Sequence, residues 1–69
     1  MMQPGKLMMP LEVENFLSEQ RTTASFAFLV KYSDNKEEEV ILQNNAESIA
    51  FVERYPEAMY EYRYSADYA

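Results

Sequence analysis

The sequence predicts a small α+β fold, a three-stranded antiparallel sheet with one or two helices packed on one face. Two neighbouring stretches, "ASFAFLVKY" and "EEEVILQ", alternate in side-chain character as strands do, and a third stretch, "AMYEYRYS", repeats the pattern near the end. Two further stretches carry apolar residues at helical spacing instead. Strands and helices of this number, in a chain of 69 residues, fit a single two-layer domain.

The first helix is predicted to follow Pro10, which can occupy the first turn because that turn needs no N–H from it. Val13, Phe16 and Leu17 then fall on one helical face. Before Pro10, we expect residues 1–9 to form an extended arm rather than a cleaved leader, with an added edge strand as an alternative.

The second helix is predicted within "NNAESIAFVERYP". Asn44 can cap it, and Glu47 three residues later completes a pattern typical of a capping box. Ile49 and Val52 lie at helical spacing, and Pro56 ends the helix.

The two central strands are predicted to form a hairpin. Since Gly5 is the only glycine, the turn between them must use other residues, which favours a loop around Asp34–Lys36 over a tight two-residue turn. The expected order is therefore arm, helix, strand, strand, helix, strand, in one domain spanning 1–69, with 66–69 as a tail that frays.

The residue types restrict the chemistry. The chain has no cysteine and no histidine, which excludes disulfides and thiolate metal sites and removes the commonest general base. A single glycine also excludes glycine-rich phosphate loops. The run Glu37–Glu39 is consecutive, unlike the alternating ligands of a calcium loop, and indicates a solvated hairpin end. We therefore expect no enzyme activity, no cofactor and no metal.

The charge balance indicates the class of partner. Twelve acidic residues face six basic ones, a net charge of −6. Such a chain repels polyanions and anionic membranes, so neither direct nucleic-acid binding nor membrane binding is expected. No apolar run approaches the ~20 residues of a membrane span, and we expect a cytoplasmic protein. A protein with a basic surface is the favoured partner.

The acidic residues also suggest a sharper hypothesis. On a strand Glu37 and Glu39 share a face about 6.8 Å apart, and DNA carries one phosphate per about 3.4 Å of axis on each strand, so rows of carboxylates could imitate part of that charge pattern. Further carboxylates could extend such a charge pattern: Glu12, Glu19, Glu47 and Glu53. The chain could then act as an inhibitor that mimics nucleic-acid charge and blocks the basic surface of a nucleic-acid-processing or defence protein. By analogy of size and charge alone, small acidic proteins of phages and mobile elements often inhibit host machinery.

Three tyrosines in the last strand are the remaining candidates. With a period of two, Tyr60, Tyr62 and Tyr64 point to one side, and Glu61 lies on the other side. The tyrosines can form the core, an interface with a partner or a second copy, or a stacking platform for single-stranded nucleic acid.

We therefore expect a non-enzymatic protein-binding module. The alternatives are a homodimeric structural or accessory subunit and, ranked last, a single-strand nucleic-acid binder. The residues expected to contact a partner are Glu37, Glu38, Glu39, Tyr60, Glu61, Tyr62 and Tyr64.

Overall fold

The computed structural model describes residues 3–67 of the chain. Its elements, in chain order, are β1 (Leu7–Met8), α1 (Pro10–Ser18), β2 (Ala24–Lys31), β3 (Glu37–Gln43), α2 (Ala46–Arg54) and β4 (Met59–Asp67). Residues 1, 2, 68 and 69 lie outside the described residues, and with them half of the tail expected at 66–69. The other half belongs to β4.

The strands form one antiparallel sheet in the order β1-β4-β2-β3. The predicted α+β class with a small sheet is confirmed, but the predicted count of three strands is wrong. The fourth strand, β1, comes from the arm, where Leu7 pairs with Glu61 and Met8 with Tyr60. Two residues are too few to show an alternating pattern in the sequence, so β1 can be recognised only from its pairing with β4.

The helices begin and end close to the predicted positions. Before α1, the backbone N–H of Met9 donates to the Glu12 carboxylate at 3.0 Å. Asn45, and not the predicted Asn44, caps α2 by accepting from the Ser48 N–H at 2.8 Å. The Asn44 side chain instead donates to the carbonyl oxygen of Gln20, 2.7 Å away, and so ties the end of the α1 region to the start of α2.

Both helices cover the same face of the sheet. Val13 and Leu17 of α1 and Val52 of α2 are fully buried against it, as their helical spacing predicts. Phe28 lies at the centre, with its ring edge-on to Phe16 and to two tyrosines of β4. Such edge-to-face aromatic pairs add about 0.5–1.5 kcal/mol each beyond the burial of their area.

The β2–β3 hairpin turns through a short loop that ends in a left-handed residue. The Tyr32 N–H donates to the Lys36 carbonyl at 2.8 Å, and the Asn35 N–H donates to the Tyr32 carbonyl at 3.1 Å. Asn35 has a φ of 71°, a conformation that asparagine tolerates better than most residues with a side chain. The turn is therefore made without glycine, as the composition requires.

Replacement of Asn35 with alanine is expected to lower the free energy of unfolding by about 1 kcal/mol. Alanine has the Cβ that is strained at positive φ but lacks the short polar side chain that helps asparagine adopt this conformation. Asn35→Gly serves as the matched control and is expected to change the stability by no more than about 0.5 kcal/mol. Urea unfolding followed by circular dichroism measures both values. Equal losses for alanine and glycine would show that the Asn35 side chain, and not its backbone conformation, stabilises the turn.

Candidate protein-binding face

The sheet face opposite the helices is shaped by an irregularity in β4. Tyr62 pairs with Phe28, but Tyr64 pairs with the next residue of β2, Ala27, so Arg63 is an extra residue between them. Because neighbouring residues of β2 point to opposite faces, Tyr62 faces the helices and Tyr64 faces away. We call the side facing away from the helices the open face.

The three tyrosines therefore do not share a side. Tyr60 and Tyr62 are 0% and 7% exposed and belong to the core, whereas Tyr64 is 51% exposed on the open face. The expectation of three in-line rings is wrong because the extra residue breaks the two-residue period. A base-stacking platform would retain one of its three rings.

Apolar side chains run across the open face in register. Tyr64 of β4, Ala27 of β2 and Ile41 of β3 lie directly opposite one another on neighbouring strands. Ala27 is buried beneath its larger neighbours, and Ile41 is 48% exposed. Leu29 is the next residue of β2 on the open face and pairs with Glu61 of β4. Leu7 of β1, 49% exposed, pairs with Glu61 from the other side. Together these five apolar residues form what we call the apolar row.

Glu61 lies between Leu7 and Leu29 and is neutralised locally. Its carboxylate accepts from Lys31 at 3.0 Å and from Arg63 at 2.8 Å. These two hydrogen bonds, from Lys31 first and then Arg63, lower the pKa of Glu61. Glu61 was expected to contact a partner, and that prediction stays untested; in the structure its carboxylate binds the two cations Lys31 and Arg63.

Glu37 and Glu39 carry the unmatched negative charge of this face. Both are exposed on β3, where Glu37 pairs with Lys31 across the ladder and Glu39 pairs with Leu29. Within residues 3–67, neither carboxylate takes part in an ion pair. Glu38 points to the other side, where it accepts from the Tyr32 hydroxyl at 2.8 Å. The Glu37–Glu39 run therefore divides between two faces.

The carboxylates considered for charge mimicry are divided in the same way. Glu37 and Glu39 lie on the open face, and the others lie on the two helices that cover the opposite side: Glu12 and Glu19 on or just after α1, and Glu47 and Glu53 on α2. No single face presents all of them.

A second apolar surface lies on the helical layer. Met9 and Leu11 are both more than half exposed, and they border a shallow concavity of about 490 Å³ with Pro56. Glu12 and Glu14 line the same concavity. This surface involves one helix end and one loop, whereas the apolar row joins four paired strands in a fixed register.

Reasoning from the sequence missed Ile41, Leu7 and Leu29 as site residues. Ile41 lies at even spacing from Glu37 and Glu39, so the strand period already indicated that it shares their face. Leu7 had no such signal, because its position depends on the pairing of β1 with Glu61.

The described residues contain no group of three or more acidic side chains arranged to hold a metal ion. Neither helix of that part of the chain has the length and apolarity needed to cross a membrane. No protein-family model, curated protein or solved structure matches the chain.

Proposed function

We propose that this protein acts by binding another protein, through the open face of its sheet, and not by catalysis. The single observation that carries the proposal is the exposure of Tyr64, Ile41 and Leu7 on one face of the sheet. Exposed apolar side chains that lie together on a regular element are typical of interfaces, and tyrosine is among the residues that contribute most to binding energy.

The charges beside the apolar row favour a partner with a basic surface. Among residues 3–67, Glu37 and Glu39 take part in no ion pair, and the net charge of the full sequence is −6. Complementary charge accelerates the encounter and orients the partner, while the buried apolar contacts provide most of the affinity. A partner surface with an apolar centre and a lysine- or arginine-rich side fits this face.

The hypothesis that the chain mimics nucleic-acid charge is less well supported than binding through the apolar row, because the carboxylates that it needs are divided between the two sides of the sheet. A homodimer would use the same apolar row, and we treat it as an alternative occupant. The partner-binding proposal applies to Tyr64, Glu37 and Glu39 and leaves Tyr60 and Tyr62 to the core.

The test compares two variants that each remove one exposed apolar side chain. Tyr64→Ser alters the open face, and Leu11→Ser alters the helical surface as the matched control. The tagged proteins are used to isolate cross-linked partners from the cells that produce the chain, and the affinity of each purified partner is then measured. Tyr64→Ser is expected to weaken binding by at least about tenfold, because an interface tyrosine often contributes 2 kcal/mol or more.

Binding to the wild-type chain is also expected to weaken as salt is raised. A partner lost with Leu11→Ser but retained with Tyr64→Ser would assign the site to the helical surface and contradict the proposal. If sedimentation shows a dimer that Tyr64→Ser dissociates, the occupant is a second copy.

A further inference from the structure

The outer edge of β3 offers backbone groups for pairing with another strand. Among the strands of residues 3–67, whose order is β1-β4-β2-β3, β3 has a neighbour on one side only. In an antiparallel pair, residues that exchange hydrogen bonds with the neighbour alternate with residues whose N–H and C=O point away from it. The Tyr32 N–H bonds the Lys36 carbonyl, so Glu38, Val40 and Leu42 continue the bonded series on β3.

Glu37, Glu39 and Ile41 therefore direct their backbone groups outward. Gln43 belongs to the same outward series, and its N–H donates to the Ser48 hydroxyl, 2.9 Å away, and not to β2. This bond agrees with the outward direction of the series and leaves no N–H of Gln43 for a further strand. No group of residues 3–67 outside the sheet bonds the N–H of Glu39 or Ile41. Both residues are exposed, so a strand can reach them.

The side chains of this edge divide into two halves. Glu37, Glu38 and Glu39 form an acidic half, and Val40, Ile41 and Leu42 form an apolar half. An antiparallel partner strand would pass the apolar half first and the acidic half second. Since cross-strand pairs of matching character stabilise a sheet, such a strand would have apolar residues followed by basic ones.

We propose that the β3 edge binds an extended segment of the partner by strand addition, antiparallel to β3, with an apolar first half and a lysine- or arginine-rich second half. This inference rests on the proposed function and specifies the chemistry of the partner. Main-chain bonds to Glu39 and Ile41 supply affinity, and the order of the two halves supplies specificity. A second copy fits less well, because its β3 runs acidic first and apolar second, so antiparallel pairing of two β3 edges would place each Glu37–Glu39 run opposite the apolar half of the other.

Two synthetic peptides with blocked ends test the order of the halves. The forward peptide is Val-Thr-Val-Lys-Lys-Lys, and the reversed peptide, Lys-Lys-Lys-Val-Thr-Val, has the same composition and charge. The forward peptide is expected to bind about tenfold more tightly, because in antiparallel pairing only this order places its three lysines opposite Glu37, Glu38 and Glu39. Nuclear magnetic resonance is expected to show slower amide exchange at Glu39 and Ile41 in the complex. N-methylation of the peptide's inward-facing amides is expected to abolish binding.

A pair of variants separates the backbone from the charge. Glu39→Pro removes the outward N–H, which an edge strand tolerates, and Glu39→Thr removes the same charge but keeps the N–H. Only Glu39→Pro is expected to abolish binding of the forward peptide, with thermal unfolding as the check that it still folds. Equal affinity for both peptides, absence of binding, or amide protection that arises from self-association without peptide would each overturn strand addition. A cellular partner lost with Tyr64→Ser but kept with Glu39→Pro would overturn it while leaving the proposed function intact.

Discussion

Truncation of Phe28 to alanine is expected to lower the free energy of unfolding by about 3–5 kcal/mol, the range found for aromatic side chains removed from a packed core. Phe28 is fully buried, and its ring centroid lies 5.7 Å from that of Tyr62, 6.4 Å from that of Phe16 and 6.5 Å from that of Tyr60. The alanine would therefore remove contacts between α1, β2 and β4 together.

The size of the chain makes this loss severe. At about 0.05–0.15 kcal/mol per residue, a chain of 69 residues has a total stability of roughly 3–10 kcal/mol. We expect Phe28→Ala to be largely unfolded at room temperature by circular dichroism, whereas Phe28→Leu, which keeps most of the volume, should remain folded.

Leu11→Ala provides the matched control, because Leu11 is exposed and its truncation should change the stability by no more than about 0.5 kcal/mol. If Phe28→Ala unfolded with the same urea midpoint as Leu11→Ala, the aromatic cluster would not be the centre of the core.

The elements that could be predicted from the sequence are those whose period is long enough to read. The strand Ala24–Lys31 has Phe26, Phe28 and Val30 at a spacing of two, and Val13 and Leu17 repeat at helical spacing. In both cases the large apolar residues recur with the period of the element, and that period can be read from the residues themselves.

The features that could not be predicted depend on pairing between distant residues. In the sequence, the alternation from Tyr60 to Tyr64 is unbroken, and the extra residue Arg63 appears only in the register with β2. Ala27 has a small side chain that leaves room for a ring on the open face, but nothing near Tyr64 in the sequence indicates that Ala27 is its neighbour. The site was therefore only partly predictable. Glu37 and Glu39 could be placed on one face, whereas Tyr64 was predicted to lie on the same side as Tyr60 and Tyr62 and lies on the other.

The irregularity in β4 separates the two roles that the tyrosines could have had. Without the extra residue, Tyr64 would follow Tyr62 into the helical layer, and the open face would present Arg63 in its place. With it, Tyr60 and Tyr62 contribute to the core while Tyr64 joins Ile41 on the outside. The fold and the candidate binding face are thus linked through a single position of one strand.

Raising the pH above about 10 is expected to unfold the chain through Tyr60 and Tyr32. Burial raises the pKa of Tyr60 to about 12, and the nearby Glu14 charge adds to it. Burial and the hydrogen bond to Glu38 raise the pKa of Tyr32 to about 12 as well. Below pH ~10 both hydroxyls keep their protons in the folded and unfolded states, so the pH has no effect through them. Between about 10 and 12, only the unfolded chain loses these protons, so stability falls as the pH rises.

Tyr60→Phe is expected to move this alkaline transition to higher pH and to raise the stability at neutral pH by about 1 kcal/mol. The reason for the gain is that the Tyr60 hydroxyl is buried without a hydrogen-bond partner among the described residues. Tyr64→Phe is the matched control, since its hydroxyl belongs to an exposed side chain and should leave both measurements nearly unchanged. Urea unfolding at a series of pH values, with tyrosinate absorbance as a second signal, gives both quantities. A loss of stability at neutral pH in Tyr60→Phe would mean that the hydroxyl is satisfied after all, because only a bonded hydroxyl costs free energy when it is removed.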